Sequence, residues 1–353
     1  MSMARECSIA SGDQIDFVIA WVDGADPEWL KEKAKYDSSS KKDETNCDSR
    51  YRDWDLLRYW FRAVEKYASW VGHIYFVTWG HIPNWLDVNN PKLRIIKHTD
   101  FIPKEYLPTF SSHVIELNLH RIQGLSERFV YFNDDMFLLR DVTPDVFFKN
   151  RKPRDIAALN VHCCQLDMPI QMIACKDTAV VNAHFNFKNS IRHNLTKWFQ
   201  FKYGTALLRT VLLLPWPRFP GFYMPHCPQS YLKKTFHAVW NKEETILAET
   251  CSHRFRCEND VNQWVMRCWQ IAEGQFEPRG IGFSKSFMFE ANNKIGVANA
   301  IADEIAKPRH TSICINDAEM DKSTFELCRN MVVNAFQAKF PHRSSFEIEG
   351  DNV

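Results

Sequence analysis

The chain has 353 residues, a formal net charge of +1, and a composition that is 45% hydrophobic and 25% charged. It can bury one large or two modest cores, and its charge excludes polyanion binding driven by bulk electrostatics, so no nucleic-acid partner is expected. Eleven cysteines are scattered without a CxxC pair, which argues against a zinc site and for free thiols in a reducing compartment.

The N-terminal MSMARECSIASGDQ lacks the apolar centre of a signal peptide, so a cytoplasmic location is expected. IDFVIAWV (residues 15–22) is a continuous apolar run closed by Asp23-Gly24, the pattern of a buried strand ending in a turn. Tyr36–Arg50 is polar and Ser/Lys/Asp-rich, a loop pattern. In LLRYWFRAVEKYASW, Leu56, Leu57, Trp60, Phe61, Val64 and Ala68 share one helical stripe. HIYFVTWG and KLRIIKH are two further strands, and SSHVIELNLHRIQGLSE is a helix with Ser112 as N-cap and Gly124 near its stop. The strand RFVYFNDD follows. Strand, helix, strand, strand, helix, strand, with every strand a continuous apolar run, indicates an α/β sheet covered on both faces.

Residues 150–225 are expected to be less regular. Within them TALLRTVLLLPWP is too short to span a membrane and carries Arg209. Burial is its favoured reading over a place on a membrane surface or partner. Helical pattern returns in SYLKKTFHAVWNKEETILAE and NDVNQWVMRCWQIAEG, and the tail HRSSFEIEGDNV is expected to fray.

Ligands bind at the carboxyl ends of parallel strands, and Asp23, Trp79-Gly80 and Asn133-Asp134-Asp135 all fall at such ends. Adjacent carboxylates at the end of a buried strand repel and lose hydration. Asp134 and Asp135 are therefore either a solvated turn or the holders of a cation. No GxGxxG or P-loop is present, so phosphate would be gripped by metal, Arg or Lys side chains, or helix N-termini. His226, among prolines in GFYMPHCPQ, is either a structural histidine or a rigid general base or phosphate ligand. Arg254 and Arg256, beside Asp260, are either phosphate-gripping or part of a surface ion-pair cluster.

IDFVIAWVDGADPEWL, YRDWDLLRYWFRAVEKYASWVGHIYFVTWG and LPTFSSHVIELNLHRIQGLSERFVYFNDDMFLL resemble the first two signature regions of the Stealth family. AHFNFKN through GFYMPHCPQSYL and HRFRCENDVNQWVMRCWQ resemble the third, and ICINDAE (residues 313–319) the fourth. The family includes bacterial capsule polymerases and the animal enzyme that makes the mannose-6-phosphate precursor. The resemblance implies a glycosyltransferase-A-like nucleotide-sugar sheet with a mostly helical C-terminal part. One catalytic domain would cover 15–320, with a nucleotide-sugar half (15–150) and an acceptor and phosphate half (151–320), between tails 1–14 and 321–353.

The implied reaction moves a hexose-1-phosphate, N-acetylhexosamine-1-phosphate being favoured, from a UDP-sugar to a hydroxyl of a polysaccharide acceptor, with Mg²⁺ or Mn²⁺. The alternative is a metal-dependent glycosyltransferase that releases UDP. Asp134 and Asp135 are the expected metal holders, and His226, Asp16, Arg256 and Asp260 the catalytic candidates. Asp23, Arg52, Trp79, Asn133, Arg254, Asn316 and Asp317 are the expected substrate contacts. Peripheral contact with a membrane or with capsule-assembly proteins is also an expectation.

Overall fold

The computed structural model describes residues 13–37, 52–165, 168–289 and 292–348. The polar loop expected over Tyr36–Arg50 lies, beyond Asp37, outside the described residues, as does most of the 1–14 tail.

Four apolar runs form parallel strands: β1 (Ile15–Ala20), β2 (Ile74–Thr78), β3 (Leu93–Lys97) and β4 (Arg128–Asn133), side by side in the order β3–β2–β1–β4. Gln229–Leu232 closes the β4 edge in the antiparallel sense. Side chains alternate between two cores, as strand geometry requires. Phe17, Ile19, Val130 and Phe132 pack on one face with helix α1 (Leu57–Tyr67). Val18, Phe129 and Tyr131 pack on the other, with helices Ser112–Asn118, Lys233–Ser252 and Trp264–Glu273. Burial of each large apolar side chain contributes roughly 1.5–3 kcal/mol, so this doubly covered sheet is the rigid platform of the fold.

The chain leaves β4 through Asp134 and Asp135 and enters β5 (Met136–Leu138). β5 belongs to a second sheet, where Ser312–Asn316 lies between it and Ser284–Met288. The Ile315 N–H donates to the Asp135 carbonyl at 2.9 Å, which seats Cys314 and Asn316 against the turn that follows β4. A third core, around Trp198, Phe219 and Phe222, organises residues 156–222.

Several expectations are corrected. Ser111, not Ser112, occupies the N-cap, and the helix stops at Asn118 before a short 3₁₀ turn. Residues 150–225 are substantially helical, with helices Pro169–His184, Phe187–His193 and Thr205–Leu213. SYL is strand rather than helix. Thr205–Leu213 is buried on one side only, through Ala206, Thr210 and Leu213, while its outer face presents Leu208, Val211 and Leu212 to solvent. The described part of the tail does not fray. Glu347 pairs with Arg62 through two bonds of 2.6 and 2.7 Å, both side chains being at most 4% exposed, and Phe346 joins the core. The nine described cysteines are free thiols. No described helix is long and apolar enough to cross a membrane.

Candidate active site

The carboxyl ends of β1 and β4 carry the acids. Asp23 follows β1, where its carboxylate accepts from the Ala25 N–H at 2.9 Å and its own N–H donates to His81 Nε2 at 2.8 Å. It lines a cleft of about 430 Å³ with Trp21, Asp53, Arg58, Asn84 and Trp85. Trp79 stands beside this region, 5.9 Å ring to ring from His81.

Asp134 is exposed at the surface, yet the density of protein packed around it, with the charges of Asp135 and Asp53, raises its carboxyl to about 7. Arg256 is the cation that opposes this rise. Asp53, likewise exposed, is also raised, first by the protein around it and then by the charges of Asp55 and Asp23. Asp23 thus acts on Asp53, and Asp53 and Arg256 act on Asp134.

The other half of the site surrounds His226. Its Nδ1 lies 2.7 Å from Asn316 Oδ1 and its Nε2 lies 3.2 Å from Asn133 Nδ2. Asn316 Nδ2 faces the Phe287 carbonyl at 3.2 Å and Ser286 Oγ at 2.7 Å. A carbonyl only accepts, so Asn316 turns its Oδ1 to the histidine and assigns the proton to Nδ1. The Nε2 lone pair then points to Asn133, toward the β4 end.

Asp135, His226 and Cys314 bring one ligand atom each within 4.8 Å of one another. Asp135 Oδ1 is buried without a geometrically ideal hydrogen-bond partner, and the one donor facing that carboxylate is the weak Cys314 thiol, a poor exchange for water unless a cation completes it. Burial, then the Asp135 charge and a hydrogen bond to its carboxylate, push the Cys314 thiol well up, so that it serves Asp135 as a donor. The adjacent carboxylates of exposed Asp134 and half-buried Asp135 supply hard oxygen ligands of the kind a divalent Mg²⁺ or Mn²⁺ ion takes.

Four candidates sit differently from expectation. Asp16 lies four residues before Ala20, the β1 partner of Asn133, so ~13 Å of strand separates it from that end. Fully buried, it accepts from the backbone of His73 and Ser126, each at 2.9 Å, and ties two loops together. Asp260 is also fully buried. One of its oxygens meets His253 Nδ1 at 2.7 Å, and the other meets His113 Nδ1 at 2.8 Å and the Cys257 N–H at 3.0 Å. Burial opposes its ionisation, but these partners outweigh it and hold the carboxyl below its usual range. Both acids are fully engaged structurally and neither is placed as a base.

Arg52 clamps Asp317 through two bonds of 2.9 and 2.7 Å and also donates to the Ala318 carbonyl, so these two expected substrate contacts are each other's partners. Arg256 Nη2 donates to Ser112 Oγ at 2.8 Å, whereas Arg254 donates to the Pro108 carbonyl and covers the Tyr36 ring. The Asp260 knot fixes the loop on which both arginines stand.

Asp53, Cys314 and the buried, raised Glu116 were not singled out from sequence. Asp53 carried the same signal that marked Asp134: an acid inside the aromatic run YRDWD.

Family models described as Stealth protein conserved region 2 and conserved region 1 match residues 50–156 and 13–41. The capsular polysaccharide phosphotransferase WcwK of Streptococcus pneumoniae is 42% identical over 336 residues, covering 95% of this chain and 98% of the relative. The exopolysaccharide phosphotransferase cps2G of Lactiplantibacillus plantarum is 41% identical over 337 residues, covering 94% and 96%. Among solved structures, the galactosyltransferase LgtC in complex with donor and acceptor sugar analogs aligns over 90% of this chain and 95% of its own, at 10% identity and a TM-score of 0.36. A likeness that distant carries no information on chemistry.

Proposed function

The chain belongs to the Stealth family of polysaccharide phosphotransferases, and from that premise we propose that this transferase moves a hexose-1-phosphate from a UDP-sugar to a sugar hydroxyl of a cell-surface polysaccharide. The acceptor hydroxyl attacks the β-phosphorus, a phosphodiester forms, the bond to the α-phosphate oxygen breaks, and UMP leaves. The observation that supports this most is the proximity, within 4.8 Å, of ligand atoms of Asp135 and of His226, whose Nε2 lone pair faces the same strand end.

Phosphoryl transfer spreads negative charge over non-bridging oxygens, so positioning and cations dominate its catalysis. In this reading the cleft at Asp23 and Trp21 takes the nucleotide end of the donor. Arg256 offsets charge on the diphosphate. His226 Nε2 accepts the proton of the attacking hydroxyl, and Asn133 gives up that lone pair when the acceptor arrives. Asn316 is a positioning residue that keeps the Nε2 tautomer. Asp134 and Asp135 would hold Mg²⁺ or Mn²⁺, whose chemistry is to neutralise the diphosphate and polarise the transferred phosphoryl group.

Incubation with a panel of UDP-sugars, Mg²⁺ and polysaccharide acceptor, followed by ³¹P spectroscopy, tests the reaction class. A phosphodiester resonance in the polymer supports it. A product without phosphorus overturns it.

A further inference from the structure

Between Phe187 and Phe219 the sequence holds six basic residues (Lys188, Arg192, Lys197, Lys202, Arg209 and Arg218), and from Thr178 to Lys242 it has no Asp or Glu. That is a pronounced local asymmetry in a chain of net charge +1. The same segment carries the helix Thr205–Leu213, apolar on both sides. Ala206, Thr210 and Leu213 face the third core, where Thr210 Oγ1 accepts from the Leu159 N–H at 2.9 Å and locks the helix in place. The opposite side leaves Leu208 63% and Leu212 66% exposed; Phe201, just before the helix, is 95% exposed and Trp216, just after it, 49%. Water-facing apolar groups clustered in this way mark a docking surface.

The surroundings of that cluster are cationic. The protein beside it and then the nearby cations Arg154 and Lys149, opposed by Glu277, depress the exposed Lys202 ammonium. Lys152 acts likewise on Lys197, whose acidic neighbour is Glu277 at 3.8 Å. Arg192, Lys202, Arg209 and Arg218 are all exposed. A second copy of the chain docked symmetrically here would oppose positive charge with positive charge. A surface with an apolar interior behind a layer of negative charge complements both features.

We infer that this face, led by Phe201, Leu208, Leu212 and Trp216 and ringed by Lys and Arg, docks on an anionic phospholipid bilayer. The apolar side chains enter the boundary between headgroups and acyl chains, Trp216 rests at headgroup level, and the cations meet lipid phosphates. The attachment is peripheral and weakens with salt.

Flotation of the purified full chain with vesicles tests this. The chain should rise with vesicles of phosphatidylcholine containing phosphatidylglycerol and stay behind with phosphatidylcholine alone. Leu208→Ser/Leu212→Ser and Lys202→Glu/Arg218→Glu should each lower the bound fraction at least tenfold at unchanged Tm. No flotation overturns the inference, as does equal flotation on both vesicle types. So does a wild-type dimer, seen by sedimentation equilibrium, that the leucine substitutions convert to monomer. Should the leucine variant misfold, the charge variant decides alone, and its unimpaired flotation refutes the proposal.

Discussion

Asn316 Oδ1 sits 2.7 Å from His226 Nδ1 although 90 residues separate the two in sequence. Because Asn316 is itself oriented by the Phe287 carbonyl, it fixes which imidazole nitrogen is free. A general base contributes about 10²–10⁴ in rate. His226→Ala should therefore lower kcat by that range with little change in the KM for donor. Asn316→Ala should lower kcat by a smaller, ~10-fold or greater factor through loss of the correct tautomer. Asn316→Asp should shift the acidic limb of the pH–rate profile upward, because a carboxylate stabilises the imidazolium. Steady-state kinetics across pH checks this, and wild-type turnover in His226→Ala would remove the histidine from the mechanism.

Asp134→Asn and Asp135→Asn should each abolish turnover at saturating Mg²⁺ while the protein stays folded. A ligand that binds only the native state at a hundred times its Kd stabilises it by about 2.7 kcal/mol. The wild-type Tm should consequently rise on adding Mg²⁺ or Mn²⁺, and the variants should not follow. An equal rise in all three proteins would show that the ion binds elsewhere.

The same acid gives metal-free protein a pH signature. Its folded value of about 7 exceeds the ordinary 3.8. Folding therefore takes up a proton at intermediate pH, and Asp134 becomes progressively more unfavourable as pH rises through about 7. Asp134→Asn removes that loss. In chelator-treated samples the Tm difference, variant minus wild type, should grow between about pH 5 and about pH 8. A difference independent of pH would contradict the crowding of Asp134 by Asp135 and Asp53.

The Arg62–Glu347 pair predicts a stability effect remote from the chemistry. Removing one member of a buried pair costs about 3–5 kcal/mol because the other charge is left unmatched. Arg62 also holds the Phe340 carbonyl at 2.8 Å. Glu347→Gln should lower Tm by several degrees, with kcat preserved well below the transition. Differential scanning fluorimetry checks the first part and initial rates the second.

The sheet could be read in advance because strands covered on both faces must be continuous apolar runs, and Ile15–Ala20, Ile74–Thr78 and Arg128–Asn133 meet that requirement. The rule that placed Asp134 at a carboxyl end could also have set Asp16 aside, since it stands at the opposite end of the same strand. Other features needed coordinates. Nothing local marks Arg52 and Asp317 as partners, 265 residues apart. Hydropathy assigns a leucine-rich segment to the interior, so the outward face of Thr205–Leu213 was hidden. The polar HRSSFEIEGDNV reads as solvated because the buried arginine that needs its Glu347 lies far upstream in helix α1.

The most direct measurement follows one phosphorus atom. With a UDP-sugar radiolabelled at the β-phosphate, the transferase described here should carry the label into the polysaccharide, with unlabelled UMP released. Label recovered in free UDP, with none in the polymer, would mean attack at the anomeric carbon and would contradict sugar-phosphate transfer.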